Sequence, residues 1–221
     1  MKDAAAAQPP PALRAQVDHL VIGIRSLDEG VAAFERLTGV TAVRGGQHPN
    51  RGTENALVSL GAGRYLELIA PRAGVVPDPD LERLRSLANL TVTAWAVGVS
   101  DMDAARRTIA GAGVALGQDA PGSRVTPSGE SLEWATADIS SPRIPFAPFF
   151  IRWVSTAHPS TTSPGGCALG ALMVQDPAAA VLSRALNALR VSGVTIRQGE
   201  PQISVQLTCP RGTVTLHTRP R

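Results

Sequence analysis

Two polar side chains stand in apolar segments of the sequence, where they are unexpected. His19 lies within the strand-forming run 17–24, and Glu67 stands between Leu66 and Leu68. A carboxylate inside a sheet is costly unless a charge or a hydrogen-bond donor meets it. The two side chains could pair with each other, Glu67 could face water on an open sheet, or both could ligate a metal ion.

Other polar residues near these two could contact a small ligand. Period-two alternation predicts that Glu67 shares one face of its strand with Tyr65 and Ile69. Asn55 and Arg51 could hydrogen-bond a carbonyl or carboxylate substrate, although Arg51 could equally be a solvated loop charge. Asn55 and Arg51 are therefore candidate substrate-binding residues.

Half of the aromatic residues fall in one later stretch of the chain. Trp153 is a candidate substrate contact, and it shares that stretch with Trp134, Phe149 and Phe150. These rings could line the bottom of an apolar cup, or they could belong to the hydrophobic core. His158, beside Pro159, is predicted to lie at the surface.

The elements that must position these residues recur along the chain. A strand followed at once by a helix returns about every seventy-five residues, and three shorter strand-like runs follow each helix. The pattern is therefore βαβββ, three times over. The leading strands are 17–24, 91–99 and 169–174, and the runs after the helices are 41–44, 55–60, 64–69, 114–118, 131–138, 146–154, 194–197, 202–209 and 213–218.

These repeats predict a division of the chain. Residues 1–14 read as a disordered tail, and 15–155 as one domain made of modules 15–72 and 90–155. The segment 156–166 is rich in Ser, Thr, Pro and Gly and is expected to be a linker. Residues 167–221 form the third βαβββ-like module.

Several segments resemble a known superfamily. The run 17–21 (VDHLV), the segments 45–55 and 65–71, and the aromatic stretch 148–153 look like glyoxalase-like domains of the vicinal-oxygen-chelate superfamily, which includes glyoxalases, bleomycin-resistance proteins and extradiol dioxygenases. The resemblance implies an α+β fold in which paired βαβββ modules form open, cupped, mixed sheets with helices packed on the outer face. It also implies a divalent metal in the cup.

The same resemblance implies roles for His19 and Glu67. They match the first-strand histidine and fourth-strand glutamate that are metal ligands in the superfamily, and Glu67 is also the candidate catalytic residue. The second module departs from the pattern, because Thr93 or Ala94 and Phe150 or Ile151 occupy its corresponding positions. None of these side chains can ligate a metal.

His48 is the candidate third metal ligand. It is expected in a loop after the second strand, flanked by glycines that allow a close backbone approach. Two histidines and a carboxylate suit Fe(II), or zinc with an open position, and nickel and manganese are not distinguished. Alternatively, His48 is a loop histidine that hydrogen-bonds to its own turn.

The predicted function is accordingly action on, or binding of, a small carbonyl- or hydroxyl-bearing metabolite, with a divalent metal as Lewis acid. An isomerase, a lyase and a dioxygenase-like enzyme are all compatible with the resemblance. The alternative is a metal-free small-molecule-binding protein of the same fold.

Composition excludes other classes of protein. The 21 cationic and 18 anionic residues give a net charge of only +3 and are scattered, so no nucleic-acid partner is expected. No segment is long and apolar enough for a membrane span or a secretory signal. Cys167 and Cys209 are predicted to be buried free thiols, which is consistent with a cytoplasmic protein.

The odd number of modules predicts an oligomer. An open βαβββ sheet needs a partner to cover it, and the third module could pack against the first pair or against a second chain. We expect a homodimer.

Overall fold

A computed structural model describes residues 13–155 and 157–218. Its helices are α1 (Leu27–Thr38), α2 (Pro79–Arg85), α3 (Met102–Ala110), α4 (Pro159–Thr162) and α5 (Ala179–Ala188). Its strands are β1 (Ala15–Gly23), β2 (Val43–His48), β3 (Thr53–Gly61), β4 (Arg64–Pro71), β5 (Thr91–Val99), β6 (Ala115–Leu116), β7 (Ala120–Val125), β8 (Ser131–Ala137), β9 (Ile139–Ser141), β10 (Phe149–Trp153), β11 (Ala168–Gln175), β12 (Thr195–Arg197), β13 (Gln202–Cys209) and β14 (Gly212–His217).

The first module has the predicted order of one strand, one helix and three strands. β1 pairs in parallel with β4. β4 pairs antiparallel with β3, and β3 pairs antiparallel with β2. Helix α1 contacts β3 and β4 and buries Leu27 and Phe34. It ends where Gly39 takes a left-handed conformation, with φ of 78°.

The second module differs from its prediction in one strand. β5 runs parallel to β10, and β8 and β7 follow in antiparallel order. The strand predicted at 114–118 is reduced to β6, which pairs with β9 outside the large sheet. Its place in the large sheet is taken by β7, in a segment for which the sequence predicts no strand.

The two modules join edge to edge into a closed eight-stranded barrel. β1 and β5 pair along their whole length, whereas β2 and β7 pair through Gln47 and Val125. Alternate residues of each strand face the inside, and the others, such as Leu20 and Leu66, join the core beneath the helices. The predicted α+β class with cupped mixed sheets is confirmed.

The third module is a separate four-stranded sheet in the order β12, β11, β13, β14, with α5 following β11. It packs within its own chain, because α5 contacts α3, and β13 and β14 contact β5. The homodimer was expected because the third module needs a partner to cover it, but its residues Leu172, Val174 and Leu182 are buried within this chain. The homodimer stays a prediction without this argument.

The two cysteines form a disulfide, so the prediction of free thiols is wrong. Cys167 immediately precedes β11 and Cys209 ends β13, its antiparallel neighbour, and this pairing brings their Cα atoms to 4.2 Å. A separation of 42 residues along the chain concealed this proximity. The cytoplasmic location stays a prediction without the support of free thiols.

The domain division also stays a prediction. Most of the tail predicted over 1–14 lies outside the described residues, and positions 13 and 14 begin the described chain, where Arg14 bonds to Ser100. The segment 157–166 contains α4 and bonds to β3 through Ser59. Across the described ranges, 13–155 and 157–218, no helix has the length and apolarity to cross a bilayer.

Candidate active site

The barrel encloses a cavity of about 340 Å³. All eight barrel strands contribute residues to its wall, so side chains far apart in sequence converge there. Tyr65, Glu67 and Ile69 face it together, as the alternation of β4 predicts. The polar residues of its wall are His19, His48, Arg51, Asn55, Glu67, Arg83, Arg124, Thr136 and Asp138.

His19, His48 and Glu67 meet at one end of this wall, and all three are buried. Parallel pairing of β1 with β4 sets Glu67 beside Val21, two residues beyond His19. Nε2 of His19 lies 4.0 Å from Oε2 of Glu67, and Nε2 of His48 lies 3.7 Å from Oε1. Both distances are too long for direct hydrogen bonds.

Asp18 fixes the orientation of the His19 ring. Its Oδ1 accepts a hydrogen bond from His19 Nδ1 at 2.7 Å, and its Oδ2 accepts from Trp153 and from His158. Burial by itself would raise the pKa of Asp18, but the hydrogen bonds from His158 and His19 outweigh it and lower the pKa to about 2. Asp18 is therefore ionised, so Nδ1 of His19 is the donor of that hydrogen bond and Nε2 is the ring nitrogen that faces Glu67.

His48 belongs to β2 and does not lie in a loop after that strand, so the loop placement is wrong. It ends β2 opposite Thr53, which lies 2.9 Å from His48 Nδ1. Burial lowers the pKa of His48 more than the Glu67 carboxylate raises it, so the ring is neutral near pH 7. The donor nitrogen of Asn55 lies 3.4 Å from Nε2, which makes Nε2 the acceptor and Nδ1 the protonated atom.

Asn55 connects this cluster to a residue that the sequence analysis missed. Its Nδ2 donates to Glu67 Oε1 at 2.6 Å, and its Oδ1 accepts from Arg124 Nη1 at 3.4 Å. Arg124 is buried on β7. The segment of β7 contains Pro121 and Gly122 and lacks apolar alternation, so no sequence signal marked it as a strand that could carry a site residue.

The aromatic candidates divide between the cavity and the core. Trp134, Phe149 and Trp153 line the cavity, whereas Phe150 belongs to the core. Arg51 also lines the cavity and is exposed at its edge.

Two further residues of the site were not predicted as such. Tyr65 stacks on His19 at 4.5 Å between ring centroids, and burial raises the pKa of its phenol well above the ordinary value. His158, predicted at the surface, is partly buried against Asp18, 3.1 Å from its Oδ2.

The donor set suits a divalent metal in kind, because two imidazoles present Nε2 toward one carboxylate. The spacing is looser than in a formed centre: 3.7 and 4.0 Å compare with about 3.4 Å between ligands of tetrahedral zinc. Within residues 13–155 and 157–218, no group of three His, Cys, Asp or Glu side chains has the spacing of a metal centre. To ligate one metal ion, the side chains of His19, His48 and Glu67 would have to move slightly closer together.

The second module offers no ligand at the corresponding strands. Ala94 of β5, which pairs with Val21 of β1, and Ile151 of β10 line the cavity. The second module thus has residues that cannot ligate a metal at these positions, as its sequence predicts.

The comparisons with known proteins agree with this architecture. A family model described as a glyoxalase-like domain matches residues 17–190, and the chain belongs to this family. It is thereby a member of the vicinal-oxygen-chelate superfamily. No protein of curated function matches the sequence.

Solved structures are similar to this chain at low sequence identity. A hypothetical protein from Staphylococcus aureus is 14% identical with a TM-score of 0.59, covering 93% of this chain and 86% of that chain. A mutant of 4-hydroxymandelate synthase from Streptomyces coelicolor is 14% identical with a TM-score of 0.51, covering 94% of this chain and 63% of that one. Methylmalonyl-CoA epimerase from Mycobacterium tuberculosis is 20% identical with a TM-score of 0.44, covering 62% and 85%.

Proposed function

We propose that this chain is a glyoxalase-like enzyme that acts on a small carbonyl- or hydroxyl-bearing molecule inside the barrel, with a divalent metal held by His19, His48 and Glu67. One observation carries the proposal. Two imidazole Nε2 atoms lie 4.0 and 3.7 Å from the two oxygens of one buried carboxylate, which brings three metal-ligating groups together at the cavity wall. Zinc, iron, nickel and manganese all accept this donor set.

Neighbouring residues would hold the three metal ligands in position through hydrogen bonds. The metal, when bound, supplies Lewis acidity toward adjacent oxygens of the substrate. Asp18 and Thr53 hold the two imidazoles through Nδ1, and Asn55 holds one oxygen of Glu67. Such outer hydrogen bonds fix the tautomer and raise ligand basicity. Glu67, the one buried carboxylate of the cavity wall, is also the candidate catalytic residue.

Metal analysis of the full chain, purified without chelators, tests the proposal. We expect a divalent ion in the wild type and its loss in His19→Ala, since one imidazole is a large share of a three-ligand site. His217→Ala is the matched control, because His217 is exposed on β14. Equal metal content in the wild type and His19→Ala would contradict the proposal.

The second candidate function is a metal-free small-molecule-binding protein. Ala94 and Ile151 favour it, because their side chains cannot ligate a metal at the second-module positions that correspond to His19 and Glu67. In that case, ligand binding to the cavity would be the same with and without EDTA. Binding that requires a metal would exclude this alternative.

A further inference from the structure

Arg124 is a buried charge that forms no ion pair with any carboxylate among the described residues. Its side chain is 4% exposed, and its one hydrogen bond among the described residues goes to the neutral oxygen of Asn55 at 3.4 Å. Within the described ranges, no carboxylate forms an ion pair with it. A buried guanidinium without an anion is strongly unfavourable, so a folded protein that retains one needs a compensating charge.

The backbone of β2 leaves room for this guanidinium. A Cβ on Gly45 would lie 2.1 Å from Arg124 Nη1, so the guanidinium would have to move from its present position. The absence of a side chain at position 45 thus permits Arg124 to reach the cavity wall. The burial of Arg124 also lowers its pKa, although the nearby Glu67 and Tyr65 raise it.

The other charges of the cavity wall form no ion pair with Arg124. Arg51, Arg83 and Asp138 are exposed, and Arg83 lies 3.9 Å from Asp80. Glu67 attracts Arg124 but accepts its hydrogen bond from Asn55 instead. If Glu67 ligates a metal, as proposed above, the wall has no other buried carboxylate for Arg124.

We propose that the ligand of this cavity carries a carboxylate that pairs with Arg124 and an apolar body that lies against Trp134, Phe149 and Trp153. This assignment of a substrate class rests on the proposed function for its reacting oxygens, but the carboxylate pocket itself does not require a metal. A planar guanidinium binds a carboxylate through two parallel hydrogen bonds, and the free nitrogens of Arg124 suit this arrangement.

The aromatic wall limits the body of the ligand. Phe149 lies edge-on to His19 at 5.3 Å between centroids, and Trp134 lies edge-on to His48 at 6.0 Å. The apolar wall is therefore adjacent to both imidazoles. A molecule of about one aromatic ring with a short acidic arm fits about 340 Å³.

Calorimetric titration of the full chain tests the proposal with benzoate, phenylacetate and 3-phenylpropionate, each beside its neutral amide. We expect at least one acid to bind about tenfold or more tightly than its amide, and Arg124→Met to reduce this preference to about twofold or less. Arg124→Lys should restore part of it. Arg107→Met, the same change at an exposed position of α3, is the matched control and should keep the full preference.

A folding control separates a ligand-binding role from a structural one. Without ligand, Arg124→Met should melt at the same temperature as the wild type or higher, because an uncompensated charge is removed. A lower melting temperature would indicate a structural role and overturn the proposal. So would a wild type that binds none of the acids, an equal affinity for acids and amides, or tighter binding of inorganic phosphate than of any acid.

The outcome is separable from that of the metal proposal. In His19→Ala, the preference for acid over amide should persist, because Arg124 and not the metal supplies it. Loss of the preference in His19→Ala with retention in Arg124→Met would assign the carboxylate to the metal and overturn the role of Arg124. A wild type that contains no metal but prefers the acids would refute the proposed function alone.

Discussion

The two halves of the barrel have the same strand plan but different walls. In the first module, β1 to β4 present His19, His48, Asn55 and Glu67 to the cavity. In the second, β5, β8 and β10 present mainly apolar and aromatic side chains, and Arg124 on β7 is its one buried charge. The two modules thus share a strand order, but the first places polar side chains around the cavity and the second places mainly apolar ones there. The fold alone therefore does not define the function.

The largest expected effect is at Glu67. Glu67→Gln preserves size and can still accept the hydrogen bond from Asn55, but the amide is a much weaker metal ligand than a carboxylate. We expect the variant to lose its metal while its melting temperature changes little. Metal analysis measures the metal content, and thermal unfolding measures the melting temperature. A Glu67→Gln variant that keeps its metal would show that the polar first half of the barrel does not hold the metal through Glu67.

The opposite pattern, a loss of stability without a loss of metal, is expected at Ile151 in the apolar half. Ile151→Ala should lower the free energy of unfolding by about 2–3 kcal/mol, because it deletes a side chain that is 2% exposed. Its metal content should stay at the wild-type level. Urea unfolding and metal analysis check this pair, and a loss of metal would show that the apolar wall also shapes the metal site.

A pH effect is expected from Asp18, behind the polar wall. Its pKa of about 2 in the folded chain, against 3.8 ordinarily, means that ionised Asp18 stabilises the fold above about pH 4 and that this contribution is lost as the pH falls through 3.8 toward 2. The full contribution is about 2 kcal/mol, of which about half should be gone at pH 3.

Urea unfolding of the wild type and Asp18→Asn at pH 6 and pH 3 measures it. The stability difference between the two proteins should shrink by about 1 kcal/mol at the lower pH. A difference that stays constant would show that Asp18 has an ordinary pKa.

The smallest effect is expected at Trp153. Trp153→Phe keeps an aromatic wall but removes the hydrogen bond from Nε1 to Asp18, which measures 3.2 Å. Stability should fall by about 1 kcal/mol with no loss of metal. Thermal unfolding would reveal a larger role for this ring if the loss were several times greater.

Sequence patterns predicted the first half of the barrel better than the second. The apolar runs around Glu67 and around His19 identify two strands, and the two-residue period of a strand predicts which side chains share a face. β7 was missed because Pro121 and Gly122 are typical of turns, and its pairing comes from tertiary contacts with β2 and β8. Arg124 was missed with it.

Other failures have the same physical origin. The disulfide depends on the antiparallel pairing of β11 with β13, which spacing along the chain does not reveal. His158 contacts Asp18, 140 residues away, and no local pattern indicates that contact. Local periodicity reports the faces of strands, whereas these contacts depend on which strands meet.

Gly45 has a consequence for the evolution of the family. Because a Cβ at this position would lie 2.1 Å from Arg124 Nη1, a larger residue there would displace the guanidinium from its present position. Relatives that keep the arginine should keep the glycine, and relatives with a larger residue at 45 should have a shorter side chain at 124. This pair of positions would then separate, within an alignment of the family, the members that bind carboxylates from those that do not.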